Sequence, residues 1–149
     1  MDRAARYVVD ASVALKWFLR DRDDEVSTEH ALALLKQRRD FPALKAPFVQ
    51  PVHFVAEVAS VLARVKAEEA EDDLADLLDL DFQIENSPTI YRKAVALSKQ
   101  YQHHLFDTLY HAVALSVGNA TLVTADERYF RKACGEGSIV LLNTLSIPH

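Results

Sequence analysis

The feature that most constrains this chain is a set of short apolar runs, each separated from the next by stretches of helical period. Tyr7-Val8-Val9 is aromatic, β-branched and unbroken, as suits a strand buried on both faces. Helix formers follow at once from Ala11 to Leu19, and Ser27 to Arg39 places Ala31, Leu32, Leu34 and Leu35 on a helical repeat. The segment Phe41-Pro42 through Pro47 reads as a connection, with Pro51 placed to open the next helix. From His53 to Lys66 the spacing of Phe54, Val58, Val61, Leu62 and Val65 predicts an amphipathic helix, and Glu69 to Leu80 predicts another. Phe82-Gln83-Ile84 alternates as a short strand does, and Ser87-Pro88 supplies the N-cap and first-position proline of a helix running to about Tyr101. Phe106 to Val117 predicts a further helix, stopped at Gly118-Asn119. A strand at Ala120 to Thr124, a helix at Arg128 to Ala133 and a strand at Ser138 to Leu142 complete the alternation. Strands parted by helices predict a three-layer α/β/α domain around a central, mostly parallel sheet.

The chain has 149 residues, half of them hydrophobic, which suits one well-buried core and a single domain over 1–149. Its three glycines and five prolines leave few places for long loops. Charges break every apolar run well before the roughly 18 residues of a membrane span, and the start at Met1 lacks the pattern of a secretory leader. A protein that stays in the cytoplasm is therefore expected. The lone Cys134 excludes an internal disulfide and a cysteine-rich zinc site, and is read as structural. A net charge of −5 argues against a broad basic surface for nucleic acid. Acidity is reconciled with such a substrate either by carboxylates gathered around a cation or by a basic protein partner.

In a parallel sheet, ligands gather beyond the carboxyl ends of the strands, where Asp10 and Asp126 each follow a strand. Either aspartate alone is equally well read as a helix cap. Glu57 is harder to explain that way, because helical spacing sets it beside Phe54, Val58 and Val61 on the core-facing stripe. A carboxylate there needs a cation or a strong donor, or else an ion pair with a buried Arg or Lys. Asp107 lies near the start of its helix and shares a face with Tyr110 and Ala114. Four carboxylates that repel one another are reconciled by a divalent ion, and hard oxygen ligands favour Mg²⁺ or Mn²⁺ over zinc. Phosphoryl chemistry follows from such an ion.

The run Val8-Val9-Asp10-Ala11-Ser12-Val13-Ala14-Leu15-Lys16-Trp17-Phe18 resembles the opening strand and helix of a PIN domain, especially of the VapC toxin family. Glu57-Val58-Ala59-Ser60-Val61-Leu62 is similar to that family's second acidic motif. Phe106-Asp107-Thr108-Leu109-Tyr110-His111-Ala112-Val113-Ala114 resembles its third, and Leu122-Val123-Thr124-Ala125-Asp126-Glu127-Arg128-Tyr129-Phe130 its fourth. The resemblance implies a PIN fold and a Mg²⁺- or Mn²⁺-dependent endoribonuclease acting on RNA. It also implies a toxin neutralised by a cognate antitoxin, and a homodimer. By the same resemblance Asp10, Glu57, Asp107 and Asp126 are the catalytic acids, and Asp10 and Asp107 are the metal ligands. Ser12 and Thr124 would support them by hydrogen bonds, and Ser60 stands where relatives often carry Asn.

Other residues receive plainer readings. His103-His104 is expected to be a solvent-exposed loop pair, since adjacent residues rarely point at one target, and His111 and Trp17 are expected to pack. The acidic runs Asp21 to Glu25 and Glu68 to Asp73 read as solvated faces or helix starts, and Lys16, Arg20, Lys45 and Arg128 are candidate phosphate contacts. A non-catalytic PIN-like binding module is the alternative, but it would lack a complete acidic set. A receiver domain would want an Asp ending a central third strand, and an aspartate phosphatase would want an acid where Ser12 stands.

Overall fold

Consecutive buried residues in the strands show how the layers are arranged. Side chains of a strand point alternately to opposite faces, yet Tyr7, Val8 and Val9 are all buried, as are Leu122, Val123 and Thr124. Both faces of the sheet are therefore covered, as the three-layer α/β/α expectation requires. The computed structural model describes residues 5–19, 28–40 and 48–145, without the side chains of 37–40. The connection from Phe41 to Pro47, the acidic run Asp21 to Glu25, and Arg20 and Lys45 lie outside the described residues.

The chain runs β1 (Arg6–Val9), α1 (Ala11–Phe18), α2 (Thr28–Asp40), β2 (Val49–Gln50), α3 (Phe54–Val65), α4 (Ala70–Leu78) and β3 (Gln83–Ile84). It continues through α5 (Pro88–Tyr101), α6 (Leu105–Ser116), β4 (Ala120–Thr124), α7 (Glu127–Ala133) and β5 (Ile139–Leu141). Strand β1 pairs in parallel with β4, and β4 with β5, while β2 pairs in parallel with β3. A bridge between Tyr7 and Phe48 sets β2 beside β1, so the strands lie in the order β3-β2-β1-β4-β5. The chain leaves β1 toward β2 on one side and later returns on the other side as β4. That reversal is a topological switch point, where a crevice opens at the carboxyl ends of the strands.

Local chemistry sets the helix ends. Ser87 accepts from the Ile90 N–H at 3.3 Å, with Pro88 at the first helical position, as the sequence predicts. Helix α6 ends at Ser116, and the left-handed residue beyond it is Asn119 (φ 61°), not Gly118. In α3 the fully buried stripe is Phe54, Val58 and Leu62, narrower than the predicted one, for Val65 is exposed. Helix α6 lies across β1, β2 and β4 and pairs with α5, and α1 packs on α2 and α3. Trp17 is buried as expected, and its indole N–H donates to the Ala31 carbonyl at 2.7 Å, which ties α1 to α2.

Strand β2 is absent from the predicted elements, because two residues ahead of Pro51 carry no alternation. Cys134, read as structural, is exposed in the turn that follows α7. Lys16, a candidate phosphate contact, is buried. No helix among the described residues is long and apolar enough to cross a membrane.

Candidate functional site

Asp10 follows β1 directly and Asp126 lies two residues beyond β4, so the switch point places both at its mouth. Each is also the N-cap of the next helix. Asp10 accepts from the Val13 N–H at 3.2 Å, and Asp126 from the Tyr129 N–H at 3.1 Å. Capping and site membership are thus joint properties of these side chains. The Ser12 hydroxyl donates to Asp10 Oδ1 and the Thr124 hydroxyl to Asp10 Oδ2. The Asp126 N–H in turn donates to Thr124 Oγ1 at 3.0 Å, which couples the two strand ends.

Asp107 reaches the same crevice from the first turn of α6. Glu57 reaches it from the first turn of α3, and its side chain is about three-quarters buried (28% exposed). The neighbour of Glu57 is His53 Nε2, 3.4 Å from Oε2, in place of the Arg or Lys partner considered from sequence. That imidazole N–H donates to the Phe106 carbonyl at 2.9 Å, and Glu57 Oε2 itself has no hydrogen-bond donor.

The carboxylates sense one another. Burial pushes Asp10 up to about 6 from 3.8, against the lowering effect of the Ser12 and Thr124 hydrogen bonds, and the charge of Asp107 adds to the rise. Asp107 is also raised, first by burial and then by Glu57 and Asp126, with His103 opposing. Tyr110 is fully buried beneath this cluster. Its hydroxyl is pushed well above the usual phenol range by burial and by the charges of Glu57, Asp10 and Asp107, which outweigh a backbone contact from Ala11. An unpartnered Glu57 oxygen beside acids raised by burial fits a hydrated divalent cation, since the carboxylates offer hard oxygens.

His103 departs from the sequence reading. It is not a solvent-exposed loop residue: its side chain is 10% exposed, and its Nε2 lies 3.2 Å from Asp107 Oδ2 and 3.5 Å from Asp126 Oδ2. Donor atoms of His103, Asp107 and Asp126 all lie within 4.8 Å of one another. His104, by contrast, is exposed and caps α6 by accepting from the Phe106 N–H at 3.1 Å. Adjacent histidines do point apart; one of them simply points inward. His111 packs as expected, between the Tyr129 hydroxyl (2.7 Å) and the Gly137 carbonyl (2.8 Å).

Gln50 went unremarked in the sequence. Its fully buried side chain accepts from the Val9 N–H at 2.9 Å and donates to the Val9 carbonyl at 2.7 Å, beside Asp10. No sequence signal marks it beyond a polar residue between Val49 and Pro51.

A parallel sheet sandwiched by helices, with acids from four elements near the point where strand order reverses, defines an α/β protein with an acidic cluster at its switch point. The chain belongs to the PIN domain family, whose model matches residues 7–136. No curated protein matches it in sequence. Among solved structures it is similar to a toxin-antitoxin complex from Klebsiella pneumoniae, with a TM-score of 0.61 and 18% identity, over 91% of this chain and 97% of that one. It is also similar to PAE2754 from Pyrobaculum aerophilum, with a TM-score of 0.64 and 19% identity, over 95% of this chain and 92% of that one.

Proposed function

We propose that the chain is a Mg²⁺- or Mn²⁺-dependent endoribonuclease that hydrolyses RNA phosphodiester bonds, and that it is a VapC-type toxin restrained by an antitoxin. The observation that carries this reading is the approach of Asp10, Glu57 and Asp126 to Asp107 near enough for their charges to act on one another, with Asp10 and Asp107 raised chiefly by burial. Asp10 and Asp107 would hold the ion, and Ser12 and Thr124 orient Asp10 for it. When bound, the ion supplies charge neutralisation at the phosphate and acidifies a water. Glu57 and Asp126 would complete the acidic lining or orient water. The antitoxin reading is supported by the toxin-antitoxin description of one structural neighbour and by the net charge of −5, which suits a basic partner segment. A homodimer working in the cytoplasm belongs to the same reading.

The test is cleavage of an end-labelled RNA by the purified protein in EDTA, Mg²⁺ or Mn²⁺. Cleavage is expected only with a divalent ion, and Asp10→Asn or Asp107→Asn should abolish it with the circular dichroism spectrum unchanged. Cleavage that survives EDTA and both substitutions rules the metal mechanism out. An intact, ion-binding protein that cleaves no RNA leaves a non-catalytic PIN module as the better reading.

A further inference from the structure

Neither His103 nor Lys132 has a task in the ion chemistry proposed above. The His103 ring sits in the turn between α5 and α6, against Tyr129, with ring centroids 4.7 Å apart. Its two nitrogens face opposite kinds of partner. Nε2 faces the carboxylates of Asp107 and Asp126, at 3.2 and 3.5 Å. Nδ1 faces Lys132 Nζ at 3.3 Å, and the same ammonium donates to the Gln102 carbonyl at 3.4 Å. An ammonium has three donors and no acceptor, so Nδ1 must be the accepting nitrogen and the ring hydrogen must sit on Nε2.

We propose that His103 is a positioning residue of this site, held by Lys132 as the Nε2–H tautomer so that its N–H ties Asp107 to Asp126. The inference rests on the nuclease reading for its kinetic consequence, but not for its tautomer. The competing role is a nitrogen ligand, since His103, Asp107 and Asp126 lie close enough to share an ion. Ligation through Nε2 requires the hydrogen to move to Nδ1, where the Lys132 ammonium stands, and this arrangement opposes it. Three elements are joined in this way: the α5–α6 turn by His103, α6 by Asp107 and α7 by Lys132, with Asp126 as the cap of α7.

The experiment is long-range ¹⁵N–¹H spectroscopy of the histidine rings in the full chain, in EDTA and with saturating Mg²⁺. His103 should carry its hydrogen on Nε2 in both states, and Lys132→Met should shift it toward a mixture of tautomers. A hydrogen on Nδ1 without ion, or one displaced from Nε2 by Mg²⁺, overturns the proposal in favour of a ligand. In RNA cleavage, His103→Leu should lower kcat by about 10- to 100-fold, the range seen when a group orienting metal ligands is removed. KM should stay within about two-fold, as for an interaction that does not bind substrate. His103→Gln, which keeps an N–H donor, should recover at least part of the loss. Equal losses in Leu and Gln, matched by equal falls in melting temperature, reduce His103 to packing and overturn the proposal. A failure to cleave RNA in every form defeats the nuclease reading instead, and the tautomer measurement still decides the role of His103.

Discussion

The side-chain amide of Gln50 occupies the place of a peptide group beside Val9, giving one hydrogen bond to its carbonyl and taking one from its N–H. Tyr7 in β1 bridges Phe48, just ahead of β2, so this amide continues the pairing two residues further along both segments. Gln50→Leu leaves two buried backbone groups unpaired and is expected to cost about 2–4 kcal/mol in denaturant unfolding. Gln50→Glu is expected to be most stable in acid, where a protonated carboxyl reproduces both the donor and the acceptor. Equal stability of the Glu variant across pH would show that the carbonyl partner is dispensable.

Burial gives the ion-free protein a defined pH dependence. The Asp10 carboxyl titrates at about 6 when folded, against its ordinary 3.8, so between those values the folded chain holds a proton that the unfolded chain has released. Stability attributable to Asp10 therefore falls as pH rises from about 4 to about 6 and stays low above that. Thermal melts in EDTA should show this slope, and Asp10→Asn should flatten it. Adding Mn²⁺ at pH 7.5 should raise the melting temperature of the parent chain but not of Asp10→Asn. A parent protein indifferent to Mn²⁺ would count against an ion at Asp10.

Glu57 and His103 pull Asp107 in opposite directions, one raising its titration point and the other lowering it. Glu57→Gln should move the Asp107 carboxyl toward the ordinary carboxylate range, and His103→Leu should move it further up. Carbon-detected NMR titration of the side-chain carboxyl in EDTA reads both shifts. If neither substitution moves it, the three side chains do not share a field.

His111 should behave as a core residue. Its imidazole is held below the usual histidine range by burial, which outweighs the Gly137 carbonyl and Glu136. The folded chain then binds its proton less readily than the unfolded chain, so this group removes stability as pH falls below about 6.5, opposite in sign to Asp10. His111→Leu strands the Tyr129 hydroxyl and the Gly137 carbonyl and is expected to cost roughly 2–4 kcal/mol. Mn²⁺ affinity, measured by calorimetry, should be unchanged in that variant; a large loss would place His111 in the site.

The architecture was legible because the longer helices announce themselves by period, with a cap at Ser87-Pro88, and because Val8-Val9 and Leu122-Val123 are apolar without alternation. From those elements the carboxyl ends of β1 and β4 follow, and with them the placement of Asp10 and Asp126. Strand β2 stayed hidden because two residues carry no period, and Gln50 because its role depends on the neighbouring strand rather than on its own segment. His103 was misjudged for a related reason. Adjacency along the chain says that two side chains diverge, but not which one turns inward, and Lys132 lies 29 residues further along.

The double duty of Asp10 and Asp126 bears on how descendants of this chain can decay. Each of these acids starts a helix, whereas Glu57 and Asp107 cap nothing. A lineage released from selection for activity can therefore discard Glu57 or Asp107 without fraying a helix start, but loss of Asp10 or Asp126 removes a cap worth roughly 1 kcal/mol. Inactive homologues should keep Asp, Asn, Ser or Thr at those two strand ends long after the other two acids have drifted. An aspartate surviving there without Glu57 and Asp107 is a record of folding alone.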